Sequence, residues 1–346
     1  MSKAERESES TQATPPHRRL LEMIVGGWIA QAIAVAARLE LADQLNGGPR
    51  TAREIASACG CHAAAVERLM RGLADAGLLR ELPDRRYELT ELGGFLRRGA
   101  ERSLWATAVM MGQEHHRAWG ELAHSVQTGE AAFDRVFGMP VFDYYDAAPD
   151  SAKVFHEAMG EIVSQSHDAM LAAYDFSPYE LLVDVGGGHG KLLGAILQMH
   201  AHLRGIVFDQ PGVVEGARQE IDRLGLGDRL TTVGGDFFAD AVPVDGDCYL
   251  LSSVIHDWND ERSVQILANV RRQMRSDGRV VLAERVLKPA GEPDFARWSD
   301  LNMLVMTGGR ERSVEDYAEL FRQSGLEFKR VVPTRSPISL VEATAA

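Results

Sequence analysis

The chain has 346 residues, 45% of them hydrophobic and 25% charged, which is the balance of an ordinary globular protein with enough length for two domains. A formal charge of −13 with no basic stripe argues against a nucleic-acid partner, because phosphate binding draws most of its affinity from Lys and Arg. Cys59, Cys61 and Cys248 make neither a disulfide framework nor a C-x-x-C zinc pair, and read as buried or half-buried thiols in a reducing compartment.

Residues 1–16, MSKAERESESTQATPP, are polar and lack the apolar run of a signal peptide, so a disordered start is expected. No segment is expected to reach the length of a membrane span, which places the protein in the cytoplasm. From about 20 to 98 apolar residues recur at helical spacing in AIAVAARLELADQLNGG, in REIASACG behind a Thr51 cap, and in CHAAAVERLMRGLADAGLL. RELPDRRYELT then alternates around a Pro-Asp turn, and helices followed by a two-stranded wing give a winged-helix outline over 17–102. The first helix is nearly free of charge after Glu22, reading MIVGGWIAQAIAVAA, and a helix apolar on most faces needs more than one neighbour. A second copy of the chain is the natural cover, which predicts a homodimer built through the N-terminal helices.

Residues 103–177 continue as helices, with apolar faces in SLWATAVMMG and FHEAMGEIVSQSHDAMLAAYDF, and are expected to link the domains and line the substrate site. After Pro178 strands alternate with helices, the texture of a parallel sheet. Strands are predicted over 181–185, 205–209, 230–233, 248–252 and 279–284, a helix over 314–324, and two final strands over 328–332 and 338–342. This seven-stranded, mostly parallel domain occupies 178–346.

Its first strand ends in LLVDVGGGHG, where Asp184 is followed by Gly186, Gly188 and Gly190. Such a loop lets backbone N–H groups approach a ligand closely, and the helix behind it favours negative charge. The spacing is G-x-G-x-G, with Lys191 or Leu193 where a dinucleotide fingerprint would need its last glycine, so the pattern leans away from NAD and toward S-adenosylmethionine. Ligands of open parallel sheets sit beyond the carboxyl ends of the strands. Asp209 ends the second strand, where it can accept from ribose hydroxyls or simply cap the following helix. Asp236 and Phe237 follow the third, suited to an adenine amino group and ring face or to an ordinary turn. The fourth runs into Ser252, Ser253, Val254, Ile255, His256, Asp257 and Trp258, and Trp258 can stack on adenine or fill core.

His256 therefore stands where substrate would meet cofactor, with Glu284 at the end of the next strand and Glu311 in the GGRERS loop as candidate partners. A carboxylate on one imidazole nitrogen fixes the tautomer and raises the basicity of the other. A phenol, with a pKa of about 10, needs such a base before it can attack a methyl group. No cluster with metal-ligand spacing is expected.

The segments DVGGGHG, FDQPGVV, GDFF, HDWND, AERV and DLNMLVMTGGRERS together resemble the O-methyltransferase family of plant caffeate and flavonoid enzymes and bacterial antibiotic-biosynthesis enzymes, over nearly the whole chain. The resemblance implies a class I S-adenosylmethionine-dependent fold, α/β and Rossmann-like, behind an α-helical winged-helix dimerisation domain. It implies His256 as general base flanked by Glu284 and Glu311, and cofactor contacts from Gly186, Gly188, Asp209, Asp236, Phe237 and Trp258. Ser252 stands where plant members often carry Lys. An acceptor pocket of Phe155, Met159, Asp257, Met303 and Met306 is implied, the methionines being equally suited to plain helix core. The expected activity is metal-independent O-methylation of an aromatic small molecule, yielding S-adenosylhomocysteine. A ligand-sensing winged-helix regulator remains an alternative, although CHAAAVERLMRGLADAGLL offers only Arg68 and Arg71. N-methylation, or cofactor-assisted hydroxylation or decarboxylation, also stays open.

Overall fold

The computed structural model describes residues 15–346. Most of the expected disordered start thus lies outside the described residues; Pro15 and Pro16 already open a helix, proline being pre-shaped for a first turn. The chain divides into two compact units at Gly112/Gln113.

In the first unit, α1 (Pro16–Arg38) and α2 (Leu41–Leu45) lead into a three-stranded sheet ordered β1-β3-β2, formed by β1 (Arg50–Thr51), β2 (Leu79–Glu81) and β3 (Arg86–Leu89). Between β1 and β2 lie α3 (Ala52–Cys59) and α4 (Ala63–Asp75). Thr51 caps α3 in a reciprocal box with Glu54, and the wing turns at Arg85 with φ 60°. The short α5 (Glu91–Gly94) and α6 (Trp105–Gly112) complete the unit. The sequence groups α6 with the helices that follow, but it packs on α1: Trp105 Nε1 donates to the Ala37 carbonyl at 2.9 Å, and a side chain at Gly112 would fall on the Ala34 methyl.

One expectation is corrected here. Helix α1 is long and apolar enough by length and composition to cross a membrane, and little of it is buried within the chain, with Ile24 70% and Trp28 75% exposed.

The second unit begins with α7 (Glu114–Trp119), α8 (Leu122–Thr128), α9 (Ala132–Phe137), α10 (Val141–Ala147) and the long α11 (Pro149–Ala173). A seven-stranded sheet follows, ordered β6-β5-β4-β7-β8-β10-β9. Its parallel members are β4 (Leu181–Val185), β5 (Arg204–Asp209), β6 (Leu230–Gly234), β7 (Cys248–Ser252) and β8 (Arg279–Glu284). The last two, β9 (Leu326–Pro333) and β10 (Ser339–Ala345), are antiparallel additions, with β10 inserted beside β8. Helices α12 (Lys191–Met199), α13 (Pro211–Leu224), α14 (Asp260–Gln273), α15 (Ala296–Met306) and α16 (Val314–Gln323) connect the strands.

Side chains alternate across the sheet as strand geometry requires. Leu182, Val207, Leu250 and Val281 pack with α12 and α13, whereas Val183, Phe208, Leu251 and Leu282 pack with α14 and α16. The strand order reverses between β4 and β7, and the crevice at that reversal is where a doubly wound sheet takes its ligand.

Candidate active site

A cavity of about 640 Å³ opens at the carboxyl ends of β4, β5 and β7. Its floor is the glycine loop. Gly186, Gly188 and Gly190 adopt φ of 72°, 56° and 72°, a region that side chains disfavour, so glycine is required for the turn. The loop is closed from β5: Gly188 N–H donates to Asp209 Oδ2 at 2.8 Å and Gly186 N–H to the Phe208 carbonyl at 2.7 Å. Asp209 also accepts from the Gln210 N–H. Burial raises its pKa, against those two hydrogen bonds. Asp184 is wholly buried with Oδ1 unpartnered among the described residues, and burial together with the Asp209 charge lifts its pKa to about 7. Two carboxyl groups lining one cavity beside the glycine turn are a fitting acceptor set for a ligand with an amine and a ribose.

The aromatic end of the cavity is built by the turn after β6 and the segment after β7. Asn269 on α14 holds the turn by donating to the carbonyls of Phe237 and Asp240 at 2.9 and 2.7 Å. Trp258 meets Phe237 and Phe238 edge-on, at 6.0 and 4.7 Å between centroids, and Phe142 of α10 stacks on it at 5.6 Å. The Arg262 guanidinium lies 4.2 Å from the centre of the Phe238 ring.

Between these parts the chain turns sharply out of β7. Ser253 takes φ 55°, a strained choice for serine, and a single 3₁₀ turn, Ile255–Asp257, follows. Glu284, completely buried, accepts the N–H groups of Val254 and Ile255 on Oε1 at 3.1 and 2.8 Å. Its Oε2 lies 3.4 Å from His256 Nδ1, and Glu311 Oε1 lies 3.2 Å from the same nitrogen. Ser299 on α15 donates to Glu311 at 2.6 Å. His256 Nε2 faces the other way, 3.7 Å from Asp257 Oδ1, and Asp257 lines the cavity. Burial alone would lower the imidazole pKa, but Glu284, Asp257 and Glu311 outweigh it and raise it to about 10. The same burial raises Glu284 and lifts Asp257 to about 7, whereas hydrogen bonds and the imidazole charge keep Glu311 low in spite of its burial. The expectation of no cluster with metal-ligand spacing is corrected here, because one ligand atom from each of His256, Glu284 and Glu311 lies within 4.8 Å of the others, a spacing a cation could share. Glu284 Oε1 accepts the two backbone N–H groups and Glu311 Oε1 meets Ser299 and Nδ1, whereas Oε2 of each is buried with no hydrogen-bond partner among the described residues.

Arg312 was not singled out by its sequence and is the brace of this turn. Its fully buried guanidinium donates to the carbonyls of Ile255 (2.9 Å) and Trp258 (2.8 Å), to Ser263 Oγ and to Asp260. An Arg within GGRERS reads as surface, and only the fold turns it inward. Gly309 presses on the same turn, because a side chain there would fall on the His256 carbonyl oxygen.

Gly186, Gly188, Asp209, Asp236, Phe237, Ser252 and Trp258 all line the cavity, as do Phe155, Met159 and Asp257. Met303 and Met306 are not in its lining, and neither are His256, Glu284 and Glu311; Asp257, 3.7 Å from His256 Nε2, reaches the cavity wall. Both methionines are buried, Met306 in an apolar cluster with Phe133 and Val305 against which the cavity-lining Phe155 packs.

Fold and site together define an S-adenosylmethionine-dependent methyltransferase. The chain belongs to the O-methyltransferase family: its O-methyltransferase domain matches over residues 119–327 and its O-methyltransferase dimerisation domain over 21–98. It is 42% identical over 337 residues to a phenazine O-methyltransferase of Lysobacter antibioticus, covering 97% of this chain and 98% of that one. Identity is 31% to a phenazine-1-carboxylate N-methyltransferase of Pseudomonas aeruginosa, covering 95% and 97%. The crystal structure of an O-methyltransferase from neocarzinostatin biosynthesis, in complex with S-adenosylmethionine and 2-hydroxy-5-methyl naphthoic acid, superposes with a TM-score of 0.81 at 36% identity, covering 92% and 96%. The protein is thus an S-adenosylmethionine-dependent O-methyltransferase of the secondary-metabolite type, and nothing in the family assignment calls for a metal.

Substituting Gly309→Ala is expected to displace the His256 turn and reduce methyl transfer about 10²-fold, since an ångström of misplacement costs that much. Calorimetry should find S-adenosylhomocysteine affinity changed by less than about twofold, because the glycine loop is untouched.

Proposed function

We propose that this enzyme methylates a hydroxyl of an aromatic small molecule, with His256 Nε2 as the general base. The observation that carries this reading is the buried imidazole whose Nδ1 faces two buried carboxylates while Nε2 points toward Asp257 at the cavity wall. Glu284 and Glu311 hold the ring and its tautomer, and Asp257 orients the acceptor hydroxyl. The backbone of Gly186 and Gly188, with Asp209 toward the ribose and Asp236, Phe237 and Trp258 around the adenine, would hold the cofactor, with Ser252 beside it. Bound there, S-adenosylmethionine supplies a methyl group on a sulfonium, an electrophile that needs little activation from the protein. Phe155 and Met159 offer an apolar face to the acceptor ring.

Matched proton affinities support the assignment. An imidazole with a pKa near 10 and a phenol of about 10 exchange a proton at almost no cost. The pair must lose one proton in total before the oxygen can attack. Activity should therefore climb with pH through the alkaline range.

Replacing His256 by Ala is expected to reduce turnover by about 10²–10⁴ with cofactor affinity nearly unchanged; a variant as active as the parent at neutral pH would refute the base. Removing one carboxylate charge in Glu311→Gln should lower the imidazole pKa and move the alkaline inflection of kcat/KM to lower pH by about 1–3 units. Its plateau should also fall, because the base is weaker.

We also infer a cytoplasmic homodimer. The dimerisation match begins at residue 21, inside α1, and takes in its Ile24, Trp28 and Ile29, which are exposed in the isolated chain. A contiguous apolar face of this kind marks an interface, and a second copy would cover it. Sedimentation should give a dimer for the parent protein, whereas Trp28→Glu, which places a charge in that face, should give a monomer.

A further inference from the structure

Two side chains with no part in the base or cofactor assignments converge on Glu311, one of the carboxylates that face His256. The chain continues past β8 and pairs in parallel with the GGRERS loop, Val286 against Arg312, while Leu287 N–H donates to the Arg312 carbonyl at 2.9 Å. That register sets Arg285 opposite Glu311. Arg285 Nη1 lies 3.9 Å from Glu311 Oε1, in a side chain only 15% exposed. On the other flank α15 grips Glu311 at two points, Ser299 Oγ donating to Oε1 at 2.6 Å and Asp300 Oδ1 accepting the Glu311 N–H at 2.9 Å. His256 Nδ1, 3.2 Å from the same Oε1, therefore shares that oxygen with a hydroxyl and a guanidinium.

Packing does not account for Arg285. Its Nε is buried with no hydrogen-bond partner among the described residues, and the guanidinium carbon stands 6.0 Å from the centre of the exposed Phe295 ring. A near-buried cation with an unpartnered donor is unfavourable unless nearby negative charge offsets it. Charge balance supplies the reason. With Glu284 and Glu311 ionised, loss of the imidazole proton alone would leave two buried negative charges side by side, and Arg285 reduces that net charge to one. Burial pushes both carboxyls up, but in Glu311 the imidazole, Ser299 and Arg285 overcome it. The other groups around the imidazole are Asp257 on its own turn, Arg312, already engaged by carbonyls and Asp260, and the fully buried Tyr317 of α16.

We propose that Ser299 and Arg285 are positioning residues for methyl transfer: by sharing Glu311 Oε1 with Nδ1 they hold that carboxylate in place and ease release of the imidazole proton. The inference rests on His256 as the base, proposed above. Without the guanidinium, or without the hydroxyl, Glu311 acts on Nδ1 with its whole charge and the imidazole keeps its proton to higher pH. The direction is opposite to that of Glu311→Gln, so losing the carboxylate and losing the groups that share it are told apart.

The test reads the imidazole itself. The full-length enzyme, saturated with S-adenosylhomocysteine and kept in EDTA so that no cation enters the cluster, is labelled with carbon-13 at histidine Cε1 and titrated by magnetic resonance. His256→Asn identifies the resonance that disappears. Arg285→Met, checked for unchanged melting, should move the His256 titration up by about one pH unit, and Ser299→Ala should move it the same way by less. Arg285→Lys and Ser299→Thr, which restore the charge and the hydroxyl, should return it toward the parent. With one phenolic acceptor, kcat/KM at pH 8 should fall by up to about tenfold in Arg285→Met while S-adenosylhomocysteine affinity stays unchanged. A His256 titration unmoved in both variants, or moved downward, would overturn the proposal, because a merely structural role changes melting and not the hold of one ring on its proton. Should Ser299→Ala not fold, Arg285→Met against Arg285→Lys decides alone. A titration that moves while kcat/KM stays constant at every pH would instead overturn His256 as base, and with it the part of both residues in the reaction.

Discussion

The constraint on which the site depends is the burial of one imidazole between two carboxylates. Placing charge where water cannot reach it is strongly unfavourable unless every member is paired. Glu284 meets this condition from the sheet itself, because the parallel register of β7 on β8 sets Ser252 beside Ala283 and leaves Glu284 opposite the chain as it exits. The exit is then bent by the Ser253 conformation so that Val254 and Ile255 present their N–H groups to that carboxylate. Arg312 gathers the carbonyls on the other side of the turn. The strain at Ser253 is tolerated because the surrounding hydrogen bonds leave the turn no other position. Removing one member of such a buried set typically costs about 3–5 kcal/mol, so the site and the stability of its sheet end are one problem.

The His256 turn and the glycine loop are not independent halves. A side chain at Gly186 would come 2.7 Å from Val254 Cγ2, and Val254 is one of the two residues whose N–H groups Glu284 fixes. The loop that faces the cofactor therefore packs directly on the turn that carries His256. Both are positioned by the carboxyl ends of adjacent strands, which fixes the spacing of the glycine loop and the His256 turn by sheet geometry rather than by loop conformation.

Much of this was legible in the amino-acid sequence because it is local. The alternation in β4, the glycines behind it and the acidic or aromatic residues at successive strand ends all follow from period and spacing, and the strands fall within a few residues of where the periodicity puts them. What could not be read depends on tertiary neighbours. Nothing local tells that β10 inserts beside β8, that α6 packs on α1, or that Arg312 turns inward among carbonyls. Met303 and Met306 share the helical spacing of pocket and core alike, and only the packing of Phe133 and Val305 against Met306 decides. The apolar length of α1 is visible in the sequence, but only the fold shows how little of that length the chain itself buries.

The raised imidazole pKa also bears on folding. Its ordinary value of 6.5 in the unfolded chain and about 10 in the native one mean that the native state holds the proton more tightly. The stabilisation this provides is fully present below 6.5 and is lost as pH rises through about 10. Deprotonation of His256 is also what prepares the base for the acceptor in the proposed reaction. In that proposed reaction catalytic competence is gained and conformational reserve surrendered along one titration, so that the useful range would be bounded above by the same proton whose loss starts the chemistry.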